Sequence, residues 1–333
     1  MKSLLVSGGC GFLGSHLVDC LLTRRDVDKL IVIDNLWTGQ ASNVAHINDS
    51  RFHLQVGDVE ALTTDLRFDE IFHLASPASP SRYMRDPAKT ISANVVGALH
   101  LLKFLKYNGR FCFTSTSEVY GDPLVSPQPE SYRGSVDCTG PRSSYDESKR
   151  CTEALLFECN RVHGLDVRVA RLFNAYGPRT RPDDGRAISN FITQAISTGL
   201  LTVYGDGTQS RSWGYVDDIV DALRRFFWHD EIRYRGPLNI GNDREISVLQ
   251  VAKYITQVVP QTRIVFMPPA PQDPIRRRPD LKLAREVIPG WCAKVELEEG
   301  VLRTLEWFRG NLPNVTFGGH AEKNLLANGG GID

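Results

Sequence analysis

Leu4-Leu5-Val6-Ser7-Gly8-Gly9-Cys10-Gly11-Phe12-Leu13-Gly14 opens the chain, and its reading decides the fold. Three apolar residues read as a short buried strand, and a helical run from Ser15 to Thr23 follows the glycines. Gly8, Gly11 and Gly14 stand three apart, so the backbone between strand and helix can turn tightly. Such a loop brings backbone N–H groups and a helix N-terminus to a pyrophosphate. The next strand, Lys29-Leu30-Ile31-Val32-Ile33, ends at Asp34, twenty residues past Gly14. An acid at that distance suits the ribose diol of an adenosine. Asn35, Leu36, Trp37 and Thr38 offer no arginine for a 2′-phosphate, which favours NAD over NADP.

Strand and helix signals alternate from there. Phe52 to Val56, Ile71 to Ala75, Arg110 to Phe113 and Asp166 to Arg171 read as strands. Ala88 to Lys106 and Ser143 to His163 read as helices. The alternation predicts an α/β fold with a Rossmann-type doubly wound parallel sheet. Asp58, at a strand end, either meets the adenine edge or caps a turn. Beyond Pro178 the alternation weakens. We expect an NAD-binding domain over 1–178, completed by about 213–241, where Gly236 to Gly241 returns to the sheet. A smaller α/β substrate-binding domain is expected over 179–212 and 242–312, with a helix from Ile246 to Val258. The Gly- and Asn-rich residues 313–333 are expected to form a mobile tail.

Lysine plus arginine equals aspartate plus glutamate, 39 each, so no global charge draws the chain to nucleic acid or to a membrane surface. No apolar run reaches the roughly 20 residues that span a bilayer. Seven cysteines, at 10, 20, 112, 138, 151, 159 and 292, form no Cys-x-x-Cys pair. That pattern argues against a disulfide framework or a metal site and suits a reducing cytoplasm.

Tyr145 and Lys149, four residues apart, share one helix face. A phenol titrates near 10 and is a poor base alone. A fixed ammonium nearby favours the phenolate, which can then take a proton from a sugar or alcohol hydroxyl. The bland alternative is an amphipathic helix exposing both residues. Upstream, Thr114 to Gly121 follows a strand, at the end where open parallel sheets bind ligands.

Together these pieces resemble the extended short-chain dehydrogenase/reductase family of nucleotide-sugar enzymes. The match runs over about residues 2 to 310. It rests on the glycine loop, Asp34, Asp58-Val59, His73-Leu74-Ala75, Asn94, Ser115-Thr116-Ser117, Tyr145-x-x-x-Lys149 and Arg171-x-Phe173-Asn174-x-Tyr176-Gly177-Pro178-Arg179. Within the family, the details are most similar to the UDP-glucuronate decarboxylases. Those details are Ser76-Pro77-Ala78-Ser79-Pro80, Tyr83, Glu118, Gly140-Pro141-Arg142, Asp184-Gly185-Arg186, Ser189-Asn190-Phe191-Ile192 and Arg277-Arg278-Pro279-Asp280.

The resemblance implies a catalytic set of Thr116, Ser117, Glu118, Tyr145, Lys149 and Arg277. It implies NAD contacts from Gly8, Gly11, Phe12, Leu13, Gly14, Asp34, Asn35, Thr38, Gly39, Asp58, Val59, Leu74, Ala75 and Ser76, with Tyr145 and Lys149 again. It implies UDP-sugar contacts from Pro77, Tyr83, Asn174, Arg186, Asn190, Tyr204, Gln209, Arg211 and Arg277, and a homodimer built on the helices over 88–106 and 143–163. Ser117 stands where the 4,6-dehydratases of the family carry an acid. Ser7 replaces a common Thr, and Ser92 a lysine found in many of the decarboxylases. A UDP-glucuronate 4-epimerase, a 4,6-dehydratase and a non-catalytic NAD-binding sensor remain as alternatives.

Overall fold

In the first strand, β1 (Lys2–Ser7), side chains alternate between two cores: Leu4 and Val6 enter one, Leu5 the other. Such a strand is covered on both faces, as parallel sheets require. The structure, a computed structural model, describes residues 1–269 and 276–311. The expected tail over 313–333 lies outside the described residues. Six further strands join β1: β2 (Val27–Asp34), β3 (Phe52–Val56), β4 (Phe68–His73), β5 (Leu105–Thr116), β6 (Asp166–Leu172) and β7 (Pro237–Ile240). Their order is β7-β6-β5-β4-β1-β2-β3, and every pairing is parallel. The direction of winding reverses between β1 and β4, which opens a crevice at the carboxyl ends of the strands.

One face of the sheet packs on α1 (Phe12–Leu22) and α3 (Val216–Trp228) through Leu17, Val18, Leu21, Ile219, Leu223 and Phe226. The other packs on α2 (Ser143–His163) and the helix Gly97–Leu102 through Leu156, Ala98 and Leu101. Two arginines fasten the far end of α3. Fully buried Arg168 donates to the Phe226 carbonyl at 3.0 Å, and Arg110 to that of Phe227 at 3.0 Å. Cations suit the negative end of a helix. Asp166 balances both, at 2.7 Å from Arg110 and 3.1 Å from Arg168.

The helix expected over 88–106 is shorter and broken. It runs as Pro87–Ile91, a π-helical turn Ser92–Val96, and Gly97–Leu102; Leu105 already belongs to β5 and pairs with Phe68. Asn94 explains the wide turn. Its side-chain amide donates to Thr90 O at 3.1 Å and to Ser148 Oγ at 2.9 Å, and its backbone carbonyl accepts from Thr152 Oγ1 at 3.1 Å. Groups that insert into the helical ladder in this way force an extra residue into the turn.

A third core lies beside the sheet. The helices Ala187–Ser197, Val248–Val258 and Leu297–Asn311 bury Ile192, Val251, Ile255, Val301 and Leu305 against Leu201 and Val203. Leu200–Tyr204 pairs in parallel with Arg263–Met267. The helix expected from Ile246 begins at Val248, because Ser247 caps it through a reciprocal bond with Gln250 and Ile246–Ser247 pairs as strand with Ser210–Arg211. Arg276–Arg277 joins the other side of that short strand and sets Arg277 opposite Arg211. Among the described residues, no helix is long and apolar enough to cross a membrane.

The glycine loop gives a direct test. A Cβ on Gly14 would sit 2.1 Å from the Gly8 carbonyl oxygen, a backbone atom that cannot step aside. A Cβ on Gly57 would meet nothing within 4 Å. Gly14→Ala is expected to cost about 2 kcal/mol of unfolding free energy, and Gly57→Ala less than about 0.5 kcal/mol. Equal denaturant midpoints for the two variants would show that the loop tolerates a side chain.

Candidate active site

A cleft of about 720 Å³ opens at the carboxyl ends of β1, β4, β5 and β6. A small annex of about 60 Å³ adjoins it at the end of β2. Phe12, Leu13, Gly14, Tyr145 and Lys149 line the cleft. Gly8, Thr38, Leu74 and Ser76 line both spaces. Asp34, Asn35, Asp58, Val59 and Ala75 line the annex. Pro77, expected beside the sugar nucleotide, lines the annex instead. Gly11 and Gly39 line neither. Gly11 donates its N–H to Gly8 O at 3.1 Å, and Gly39 packs on the Asp34 carboxylate.

The annex end fits a dinucleotide. Gly8 holds φ +75°, and a Cβ there would lie 2.6 Å from Ala75 N, so only glycine closes this turn. Asp34 is buried. Its Oδ2 accepts from Cys10 N and its Oδ1 from Leu36 N, each at 2.9 Å. Burial raises its pKa, and the two N–H groups oppose that rise. Asp58 accepts from Asn35 Nδ2 at 2.6 Å and pairs with Lys89 at 3.1 Å, which pulls its pKa down. Ser76 Oγ is buried with no protein partner, a hydroxyl left over for a ligand.

A buried chain of hydrogen bonds braces this wall. Ala75 N donates to Ser7 Oγ at 3.4 Å, Ser7 Oγ meets His73 Nδ1 at 2.7 Å, and His73 Nε2 reaches Asn94 O at 3.3 Å. Burial lowers the His73 pKa to about 3, so the ring is neutral. A carbonyl at Nε2 places the proton there, and Nδ1 then accepts from Ser7. Serine supplies that hydroxyl as well as threonine would.

Tyr145 lies buried on the first turn of α2, its ring 4.9 Å from that of Tyr83 and within 6° of parallel. The Thr116 hydroxyl hydrogen-bonds to it. Lys149 Nζ donates to Thr114 O at 2.9 Å and stands 5.8 Å from the Tyr145 ring centre. The expectation that Lys149 lowers the Tyr145 pKa is not met in the protein alone. Burial dominates and pushes the phenol well above its usual range, with Glu118 and Asp146 adding to the rise against Thr116. Burial also pulls Lys149 down to about 7, so it brings less than a full charge at neutrality.

Glu118 sits on the 3-10 turn Ser117–Tyr120 that follows β5. Arg277 grips both its oxygens, with Nη2 2.5 Å from Oε2, and Arg142 adds a contact at 2.7 Å. Burial opposes ionisation, but the two guanidinium groups win and hold the carboxyl below its usual range. Arg277 therefore meets Glu118, a partner that the sequence reading did not pair with it. Arg142 and Asp146 were not singled out as site residues. Their signals in the sequence are closeness to Tyr145 and a place in the motifs, Gly140-Pro141-Arg142 and Tyr145-Asp146-Glu147, that carry the resemblance to the decarboxylases. Asp146 is buried, its Oδ1 has no partner, and burial followed by repulsion from Glu118 pushes it up to about 7.

At the far end, Asn174, Asn190, Tyr204, Gln209 and Arg211 line the cleft. Gln209 Nε2 donates to Tyr204 O at 2.9 Å, and Arg211 to Ser210 O at 2.8 Å. Arg186 pairs with Asp184, Nη2 to Oδ1 at 3.0 Å. Seven arginines and Lys149 line the cleft against Glu118 and Asp184. A chain with no net charge thus holds a strongly positive cleft, suited to a diphosphate and a further carboxylate.

Lys149 has a measurable cost. Its folded pKa lies below that of a free lysine, so the unfolded chain binds more protons between about pH 7 and pH 10, and stability rises with pH across that window. Lys149→Met is expected to raise the melting temperature of NAD-free protein near pH 7, by roughly 1 kcal/mol of stability, with the gain shrinking towards pH 10. A lower melting temperature at every pH would mean that the Thr114 bond outweighs the burial of charge.

Residues 4–241 match the NAD dependent epimerase/dehydratase family. UDP-glucuronic acid decarboxylase 5 of Arabidopsis thaliana is 47% identical over 310 residues, covering 92% of this chain and 89% of that protein. UDP-glucuronic acid decarboxylase 1 of Xenopus tropicalis is 44% identical over 315 residues, covering 93% and 73%. Among solved structures, the dTDP-glucose 4,6-dehydratase DesIV of Streptomyces venezuelae, with NAD bound, superposes with a TM-score of 0.82 at 28% identity, covering 93% of this chain and 97% of its own. With its glycine loop, Asp34 at the end of β2, and Thr116, Tyr145 and Lys149 lining one cleft, the chain belongs to the NAD dependent epimerase/dehydratase family.

Proposed function

We propose that the protein converts UDP-glucuronate to UDP-xylose and carbon dioxide through a 4-keto intermediate, with no net redox change. The observation that carries this reading is the Glu118–Arg277–Arg142 cluster in the same cleft as Tyr145, in a chain 47% identical to a UDP-glucuronic acid decarboxylase. The NAD contacts are Gly8, Phe12, Leu13, Gly14, Asp34, Thr38, Asp58 and Ser76. When bound, NAD supplies the hydride acceptor and donor for C4′ and a positively charged ring.

Tyr145 takes the proton of the 4′-hydroxyl, and Thr116 orients that hydroxyl and the phenol together. Lys149, fixed by Thr114 O, adds positive charge behind the phenol. The 4′-ketone is β to the carboxylate, so the C5′–C6′ pair can pass into an enolate as carbon dioxide leaves. The enolate takes one proton at C5′. Arg277 and Arg142 hold the carboxylate before it departs, and Glu118 and Ser117 orient the ring. Ser117 has none of the acidity that a dehydratase needs to expel water. Arg186 and Arg211 hold the diphosphate, and Tyr204 lines the uracil site. Most of the rate comes from positioning.

The division into an NAD-binding part over 1–178 and a substrate-binding part over 179–212 and 242–312 belongs to the same proposal. So does a homodimer. Ile91, Val96 and Leu99 are each about half exposed along 87–102, and Val162 on α2 is more exposed still. Apolar groups so arranged favour a covering partner. Seven free cysteines favour a reducing cytoplasm.

Proton NMR of the protein with UDP-glucuronate and NAD is expected to show UDP-xylose with little net NADH. UDP-galacturonate as product would make it an epimerase instead, and no change would leave another sugar nucleotide or a sensor. Tyr145→Phe is expected to lower kcat by roughly 10²- to 10⁴-fold with little change in KM; a kcat within tenfold of the parent would remove Tyr145 as the base. Light scattering at micromolar concentration should give a dimer, and Leu99→Asp a monomer. A monomeric parent would refute the interface.

A further inference from the structure

The cluster around Glu118 holds a carboxyl that the mechanism does not use. Asp146 is 6% exposed, and its Oδ1 is buried with no hydrogen-bond partner. It does not line the cleft, and it stands behind the groups that do. Charged neighbours reach it from every side. Glu118 acts from the turn after β5, Arg277 from the strand Arg276–Arg277, and Arg142 and Glu147 from either side on α2 and its approach. The rings of Tyr83 and Tyr145 also feel its charge.

We propose that Asp146 is a specificity-determining positioning residue: uncharged, it leaves the Glu118–Arg142–Arg277 cluster one net positive charge, and that charge selects sugar nucleotides that carry a carboxylate. This rests on the decarboxylase reading for the identity of the substrate. The charge balance is simple. Arginines stay protonated, and Glu118 is held ionised by both of them. Two cations against one anion leave a single positive charge for the incoming carboxylate. An ionised Asp146 would cancel it and place a second anion behind the first.

Its missing partner argues the same way. A carboxylate buried without a donor on Oδ1 is costly, and a neutral carboxyl is far less so. Burial, and then repulsion from Glu118, push its pKa up to about 7 against the pull of Arg142 and Arg277. Asp146 thus changes charge within the working pH range. The sign follows from linkage. An anion bound at the cluster favours the protonated carboxyl, so binding takes up a proton and weakens as pH rises. Lys149, one turn along α2, is also pulled down to about 7. Two ligands and an Asp146 variant separate the two groups.

The test is calorimetry with NAD present, on the Tyr145→Phe protein, in which turnover is slowed and no phenol is left to titrate beside Asp146. UDP-glucuronate is compared with UDP-glucose, which has the same diphosphate and no carboxylate. The affinity ratio is expected to fall about tenfold from about pH 6 to about pH 8.5, with roughly half a proton taken up per UDP-glucuronate near pH 7.5 and none per UDP-glucose. Adding Asp146→Asn, a neutral isostere, should fix the ratio at its low-pH value and abolish the uptake. A ratio that does not change with pH, or one that still titrates after Asp146→Asn, would overturn the inference. If Asp146→Asn does not fold, the same proton count on protein that also carries Lys149→Met decides: uptake that persists supports Asp146, and uptake that is lost overturns the inference. UDP-xylose formation with a flat ratio would sink this inference and spare the decarboxylase reading. A titrating ratio without UDP-xylose would do the reverse.

Discussion

Every strand near the centre of the sheet is covered on both faces, and this constraint governs the rest of the molecule. Phe111 and Phe113 of β5 turn to one core and Cys112 to the other, with no exposed surface among them. A backbone so enclosed has no place for reactive groups along its length. Polar side chains gather where the strands end: Ser7 on β1, Asp34 on β2, His73 on β4, and Thr116 with Glu118 after β5. The reversal of order between β1 and β4 opens the space that those ends share. Apolar packing thus selects the place of the chemistry before any catalytic residue is considered.

Within that space the governing quantity is buried charge. The cleft withdraws Tyr145, Lys149, Glu118 and Asp146 from water together, and each responds in the direction that its neighbours allow. Glu118 stays ionised because two arginines reach it. Asp146 and Lys149 drift towards neutrality because their partners are too few. Tyr145 stays protonated because a phenolate would be a further uncompensated charge. The site is therefore poised, and ligands that bring charge complete it.

Much of this was legible in the sequence because it is local. The glycine spacing, the apolar run before it and Asp34 twenty residues on fix one strand–loop–helix–strand unit through neighbours along the chain. The α2 helix, Ser143 to His163, follows from periodicity alone, and Gly164 in a left-handed conformation ends it. The break at Ser92–Val96 was not legible, because its cause is Ser148 and Thr152 on another helix. The start of the helix at Val248 was missed because a strand pair claims Ile246 and Ser247.

The sequence by itself determined the class of fold, the glycine loop between strand and helix, the acid at the end of the second strand and the Tyr145–Lys149 spacing on one helix, since each is a pattern read over a few tens of residues. Only the tertiary structure decided the electrostatics. Glu118 and Arg277 are 159 residues apart, and they meet because Arg276–Arg277 pairs beside Ser210–Arg211 at the mouth of the cleft. Burial then reversed the expected shift at Tyr145 and lifted Asp146. Desolvation depends on what surrounds a group from every direction, and a linear sequence names only the neighbours along the chain.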